Sequence, residues 1–461
     1  MSSLEPSIHP LIEQFVSERR FYINEEVEKE NRLLHYIFPE IIQENINELN
    51  AFFSKHLDEF DIYFANKPTK SKEILKYIKK NNLKIDVASE NELINALRIG
   101  FRFDEIECTG PKNKKYIDLA IKNNCLISID SEKELEYILT INKKNPIQLR
   151  IANPQTNKSN LKLPLSRFGI PLKNIKKIIK QKGPEDMNLQ GFHFHNDIRD
   201  SHNKADSIKC CLELTELAIN HSHNITLLNI GGGLRDTRLK NLNQWQKFIE
   251  QLEEDILKGN KTQTWKDNGL GITLNAKGRI TGREKLEGAY NQPTYYESLS
   301  EAFNQNYKGN TIKNTINEYM LKVIIEPGTL LLKNCGFSAA KVTDIKTLTN
   351  EDELIILNAN RTNFSTSMNK LYTNPISTNP KKNEKPKSYF LAGNLCQEED
   401  MLSQKKLHIQ NKVNTKDSLL FIDTISKYTD FEDASPHQHP TSKRKIITKK
   451  NNKWVNKNDY I

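Results

Sequence analysis

Five short apolar runs, IYFA (62–65), IDVAS (85–89), IECT (106–109), LISI (126–129) and IQLRIA (147–152), begin 23, 21, 20 and 21 residues apart. That interval holds one strand, one turn, one helix and one more turn, so the runs read as parallel strands joined by helical crossovers. The stretches between them are Lys-rich and carry apolar residues at helical period. Ser89 with Glu92, and Ser131 with Glu134, set a hydroxyl three residues before a glutamate just after a strand, the pattern of a capping box. GFHFH (191–195), ITLLNI (225–230) and KVIIE (322–326) bring the runs to eight. Eight strand-helix units predict an α/β chain built on a (β/α)8 TIM barrel over residues 59–330.

The remainder is arranged around that barrel. Residues 1–58 form a helical lead, Leu11 to Asn31 and then Ile41 to Leu57. The last crossover, 234–321, is too long for one helix and holds an insertion, with an amphipathic helix around Trp245 to Leu257 and a Tyr-rich stretch at Tyr295 and Tyr296. Beyond 330 the texture alternates, in FSAAKVTDIKTL (337–348), ELIILNAN (353–360) and SLLFIDT (418–424), which predicts an antiparallel β domain over 331–440. TNPISTNPKKNEKPKSYF (373–390) reads as a surface loop, and 441–461 as a solvated basic tail. A 36% hydrophobic fraction in 461 residues can bury a full core. The 68 Lys and Arg against 58 Asp and Glu leave a net +10, but the signs are interspersed, which describes a solvated surface and no nucleic-acid footprint. No window reaches the ~18 apolar residues of a membrane span, and MSSLEPSIHPLIEQF lacks the build of a signal peptide, so a cytoplasmic location is expected. Six cysteines without a CxxC pair give neither a disulfide framework nor a zinc module.

In such a barrel the working residues stand at the carboxyl ends of the strands. Those ends offer Asn66 and Lys67, Asp86, Arg150, His193 and His195, then Gly231, Gly232 and Gly233, and finally Glu326 and Gly328. A glycine run after the seventh strand lets backbone N–H groups approach a phosphate, though a tight turn needing positive φ explains it as well. A strand-end lysine is a Schiff-base nucleophile once burial or charge lowers its pKa, and otherwise a surface lysine. Amine, phosphate cradle and carboxylate together are what pyridoxal phosphate requires.

The motifs YFANKPTKS (63–71), DVASENEL (86–93), TGPKNKKYIDLAI (109–121), LRIA (149–152), SRFGI (166–170), GFHFH (191–195), LLNIGGGL (227–234), IIEPG (324–328) and GNLCQEED (393–400), with the tyrosine at 428, follow one another over 60–440. In order and spacing the chain resembles the fold-type III pyridoxal-phosphate enzymes, the diaminopimelate, ornithine and arginine decarboxylases and, more distantly, alanine racemase. FEDASPHQHP (431–440) looks like a branch that includes enzymes of siderophore biosynthesis. The resemblance implies an alanine racemase-like barrel in which Lys67 carries the cofactor as a Schiff base. His195 stacks on its ring, with a core histidine or a His-x-His metal pair with His193 as rivals. Gly231, Gly232 and Gly233, with Gly328 and Tyr428, hold its phosphate end, Glu326 pairs with the pyridine nitrogen, and Asp86 and Arg150 line the site or form structural ion pairs. Cys396 returns a proton after carbon dioxide leaves, Gln397 and Asp400 meet the substrate, and delivery of this motif into a second subunit implies a homodimer with shared sites. No metal is implied.

The chain departs from the family pattern at the phosphate end. Asn196-Asp197-Ile198 replaces a glycine and serine, Thr329 replaces an arginine, and Ser426 and Lys427 replace small residues. Three readings follow: a decarboxylase of an amino acid or amino-acid conjugate of the diamino acid type, a catalytically degenerate barrel that binds or regulates, and a racemase. Retention of Lys67 and Cys396 favours the first. Gln397, where diaminopimelate decarboxylases carry a glutamate, counts against diaminopimelate itself.

Overall fold

The structure is a computed structural model and describes residues 3–156, 165–196, 201–234, 239–286, 294–366 and 371–459. Eight strands stand where the apolar runs place them: β1 (Phe60–Ala65), β2 (Lys84–Val87), β3 (Ile106–Cys108), β4 (Leu126–Ile129), β5 (Ile147–Ala152), β6 (Leu189–His193), β7 (Leu227–Asn229) and β8 (Lys322–Ile325). They pair in the order β4-β3-β2-β1-β8-β7-β6-β5, and β4 closes on β5, every pairing parallel. Closure removes the sheet edges and sends the strands' carboxyl ends to one mouth.

The crossover helices start as their caps require. Ser89 Oγ accepts from Glu92 N–H at 3.2 Å and Ser131 Oγ from Glu134 N–H at 3.3 Å. The reciprocal half of each box is spent elsewhere: the Glu92 carboxylate accepts from Ala88 N–H at 2.7 Å, and Glu134 pairs at 2.7 Å with the fully buried Lys112. Lys112 also donates to the carbonyls of Gly110 and Ser128, tying the tops of β3 and β4 together.

The second domain is a sheet of β9 (Gly336–Thr347), β10 (Glu353–Leu357), β11 (Lys382–Ala392), β12 (Leu407–Asn411), β13 (Ser418–Ile422), β14 (Lys443–Lys450) and β15 (Lys453–Asp459). It is mostly antiparallel, with β10 and β11 paired in parallel. Three expectations change here. The helical lead, with helices Pro10–Glu30 and Pro39–Phe53, also carries a strand, Leu34–Ile37, inserted between β9 and β14. The loop expected over 373–390 contains most of β11, and Pro386 sits where the pairing with β12 breaks register between Lys382 and Lys387, so its missing N–H costs no ladder bond. The basic tail is a β-hairpin, β14–β15: Ile446 and Ile447 are buried, and the charges flanking them are paired, Arg444 with Asp430 and Lys445 with Glu26 and Glu30.

The insertion carries helices Leu242–Lys258 and Tyr295–Asn304. Its own apolar cluster, with Phe248, Leu252, Leu270 and Ile272, closes over Leu4 and Tyr372.

Because the hairpin buries Arg444, Ile446 and Ile447, deleting residues 442–461 is expected to abolish cooperative folding, where a solvated tail would be dispensable. Thermal melting followed by circular dichroism of the truncated chain decides between them.

Candidate active site

The interior of the barrel is polar near its mouth, and most of the groups there are tied together across the strands that carry them. Asn229, at the end of β7, donates from Nδ2 to Glu326 Oε1 at 2.8 Å and to both oxygens of Glu107 at 2.9 and 3.0 Å. Its Oδ1 accepts from Gly231 N–H at 2.8 Å, which fixes the start of the glycine loop. Gln148 of β5 donates to Glu107. Ser128 of β4 meets His193 Nδ1 at 2.6 Å, and His193 Nε2 lies 3.3 Å from Glu326 Oε1. His195 is partly exposed; its Nδ1 accepts from Gly232 N–H at 3.3 Å and lies 3.5 Å from Glu326 Oε2.

Three buried carboxyls share this space, and the surroundings separate them. Burial, then the nearby Glu326, pushes both Asp86 and Glu107 well above the usual carboxylate range. Burial opposes ionisation of Glu326 too, but the histidines and the Asn229 amide around it outweigh burial and hold its carboxyl below the ordinary value. Burial drives His193 down to about 3, so that ring is neutral above pH 4 and lends Glu326 no charge. The Asn229 amide, 2.8 Å from Oε1, is the neutral donor that favours the Glu326 anion. Among the described residues Glu326 is the interior carboxyl of this network whose pKa is lowered while its neighbours' are raised.

Lys67 follows β1 on a loop that belongs to both domains. Thr69 Oγ1 and Lys70 N–H donate to Asp430 Oδ2 at 3.0 and 2.9 Å, and Asp430 is gripped by Arg444 of β14, whose Nε lies 3.0 and 3.1 Å from its two oxygens. Burial would raise Asp430, and Arg444 overrides it, keeping the carboxyl below its ordinary value. The exposed Lys67 ammonium lies 5.4 Å from the ring centroids of Tyr428 and Phe431, and Pro68 packs against Gly328, where a Cβ would come within 2.8 Å. The same chain thus brings Lys67, Tyr428 and Gly328 together.

The other expected residues are also placed. Asp86, near the end of β2, accepts from Thr109 Oγ1 at 2.5 Å. Arg150 of β5 lies 3.7 Å from Asp130 and stacks on Phe168 at 4.6 Å at the rim. Gly231 and Gly232 cannot be other residues: a Cβ would fall 2.5 Å from Phe194 O in one case and 2.5 Å from Glu326 O in the other. Gly231 also takes φ 67°. Of the departures noted in the sequence, Asp197 and Ile198 lie outside the described residues, as does the Lys427 side chain.

The C-x-x-x-D motif divides. Cys396 and Gln397 are exposed, whereas Asp400 is buried and fully used by its own loop: Oδ1 accepts from Arg361 N–H and Oδ2 from Leu395 N–H, both at 2.8 Å. Both Asp400 oxygens accept backbone amides that shape the loop displaying Cys396. Gln148, Asn229 and Glu107 were missed by sequence reasoning; a polar residue in the middle of an otherwise apolar strand run was the available signal. The third donor for a His193 and His195 pair was missed as well. It is Glu326, and the three donor atoms lie within 4.8 Å of one another. Three donors fall one short of a closed tetrahedral site, and two of them, His195 and Glu326, stand where the family addresses the cofactor ring.

The profile of the pyridoxal-binding domain of pyridoxal-dependent decarboxylases matches residues 43–273. The chain belongs to this family and is a pyridoxal-phosphate-dependent amino-acid decarboxylase, a carboxy-lyase. It is 23% identical over 424 residues to the uncharacterised protein y4yA of Sinorhizobium fredii, covering 89% of this chain and 86% of that one. It is 30% identical over 209 residues to diaminopimelate decarboxylase of Staphylococcus aureus, covering 42% and 48%. Among solved structures, arginine decarboxylase of Paramecium bursaria Chlorella virus superposes with a TM-score of 0.69 at 17% identity, over 93% of this chain and all of that one. Diaminopimelate decarboxylase of M. jannaschii in complex with L-lysine gives 0.66 at 20%, over 92% and 88%.

The residues present fit the cofactor: a glycine cradle with no room for a Cβ, an ionised buried carboxylate, and a buried His193 Nε2 without a hydrogen-bond partner. The neutral His193 also predicts a pH dependence. Unfolded, its imidazole titrates near 6.5; folded, near 3, so the unfolded chain binds the extra proton in between and stability falls as pH drops from 6.5 toward 3. The slope from this one group is at most ~1.4 kcal/mol per pH unit. Urea melts between pH 7 and 5 are expected to show a shallower loss in His193→Gln than in the native chain.

Proposed function

We propose that the chain decarboxylates an amino acid or amino-acid conjugate carrying a distal charged group, with Lys67 holding the cofactor and Cys396 supplying the final proton. The observation that carries this reading is the placement of Lys67: its loop is locked to Asp430, its ammonium faces Tyr428, and Pro68 beside it packs on Gly328. When bound, pyridoxal phosphate supplies an electron sink for the pair left on Cα as carbon dioxide departs.

The chain's own residues do the rest. Glu326, whose pKa is held low, would pair with the ring nitrogen and keep it protonated. His195, kept in place by the Gly232 amide, would cover one ring face. The N–H groups of the Gly231 to Gly233 loop would take the phosphate, with Tyr428 at that end. The Cys396 thiol, displayed by a loop whose geometry Asp400 fixes, delivers a proton to Cα.

Cys396 is exposed on the small domain, so the reading includes a homodimer in which each copy's loop enters the other's barrel mouth. A cavity of about 650 Å³ beside that loop is lined by Arg361 and Lys266 together with Glu398, Glu399 and Glu432. Both signs at one site suit a substrate with a distal amine and a distal carboxylate, and the neutral Gln397 in the motif weakens the grip on a simple ammonium.

Purified protein with added pyridoxal phosphate is expected to show a visible absorption band that borohydride fixes onto Lys67, and Lys67→Ala to show none. No band in the native chain at saturating cofactor would sink the decarboxylase mechanism and leave the degenerate binding barrel. Cys396→Ala is expected to lower carbon dioxide release from a panel of diamino acids and their conjugates ~10²-fold. Mixing the two inactive variants is expected to restore about one quarter of native activity if sites are shared across a two-fold dimer, and nothing if each chain works alone.

A further inference from the structure

Lys204 occupies the first turn of helix Ser201–Asn220, directly after β6, and its side chain is wholly buried. Nζ donates to Ile230 O at 2.6 Å and lies 4.8 Å from the centroid of the Phe194 ring. Both neighbours belong to the cofactor cradle. Ile230 immediately precedes Gly231, and the Cβ that Gly231 lacks would fall 2.5 Å from Phe194 O. The ammonium is therefore wedged behind the seam where the glycine loop meets the end of β6.

That placement is costly as it stands. An ammonium has three protons to donate, and one neutral carbonyl with one ring face satisfies little of a buried cation. Among the described residues no carboxylate forms an ion pair with it. Burial accordingly lowers its pKa to about 7, with Glu326 opposing the shift from a distance. A leucine or methionine would fill the same space at no electrostatic cost. The glycine loop, by contrast, offers a ligand only neutral N–H dipoles, and position 329, where the family resemblance implies a phosphate-binding arginine, is a threonine.

We propose that Lys204 is the counter-charge of the cofactor's phosphate, acting from beneath the Gly231 to Gly233 loop in place of the arginine that Thr329 replaces. The inference rests on the reading that this loop receives the phosphate. A phosphate above the loop and the ammonium below it compensate each other through a desolvated layer one backbone thick, where an effective dielectric below that of water makes the attraction count.

The test compares pyridoxal phosphate with pyridoxal, which lacks the phosphate and reacts with Lys67 in the same way. Dissociation constants of both are measured by equilibrium dialysis for the native chain, Lys204→Met and Lys204→Arg. The expected result is a loss of tenfold or more in pyridoxal phosphate affinity for Lys204→Met, with pyridoxal unchanged and with Lys204→Arg near native. The cofactor-free Lys204→Met protein is expected to melt no lower than native, because a buried unpaired charge has been removed. Equal losses for both ligands, no loss, or a Lys204→Met protein that fails to fold each make Lys204 a structural residue and overturn the proposal. If the native chain does not prefer pyridoxal phosphate over pyridoxal, the glycine-loop reading itself fails, an outcome distinct from a preference that survives Lys204→Met.

Discussion

The pairing of Asp430 with Arg444 is the contact on which the two halves of the molecule depend. It is buried on both sides, and its carboxylate is shared: one oxygen also takes the Thr69 hydroxyl and the Lys70 amide, so the loop carrying Lys67 is bolted to a strand of the small domain. A buried ion pair of this kind adds little net stability over a hydrophobic substitute, but breaking it by removing one partner typically costs 3–5 kcal/mol because the other is left charged and dry. Its value here is positional. β14 reaches this place only because Leu34–Ile37 pairs with it in parallel and β15 covers its far side. The lead, the barrel and the last twenty residues therefore converge on one loop, and the amine at its tip inherits their rigidity.

A second constraint lies inside the barrel, where Asp86, Glu107 and Glu326 are close enough to exclude one another's ionisation. Only one charge is well accommodated, and hydrogen bonds decide where it goes. Asn229 gives one N–H to Glu326 and shares the other between the oxygens of Glu107, while the histidines cluster on Glu326. Asp86 is left with a hydroxyl donor from Thr109. The result is a floor of the mouth that favours negative charge at Glu326 over its two neighbours.

How much of this was legible in the sequence depends on whether the signal was local. The barrel was, because strand spacing near twenty residues is a property of the chain itself, and so were the strand ends that carry Lys67, Asp86, His195, the glycine run and Glu326. The hairpin at 443–459 was hidden by its composition. KRKIITKK reads as a tail until Glu26, Glu30 and Asp430, contributed from far along the chain, neutralise Lys445 and Arg444. Leu34–Ile37 was hidden by its length, since four residues after a helix carry no period. The two backbone amides that Asp400 accepts are visible only once Arg361 is folded against Leu395. Where the signal was missing, it was chiefly a partner from another segment, and polar partners are what amino-acid pattern encodes least.

The insertion extends the same logic to the cysteine. Residues 263–268 bind along the segment that follows Cys396: Trp265 N–H donates to Gln404 O at 2.9 Å, Lys406 N–H to Gln263 O at 2.9 Å, and Asn268 Nδ2 to Gln404 Oε1 at 2.9 Å. The Trp265 ring meets Phe390 edge-on at 5.2 Å, at the base of the strand leading into the motif. A loop displaying an exposed thiol would otherwise be free to sample many positions. The Asp400 carboxylate sets the shape of the loop from within, and the insertion sets its direction from outside. An insertion in the barrel's last crossover thus steadies a loop of the neighbouring domain.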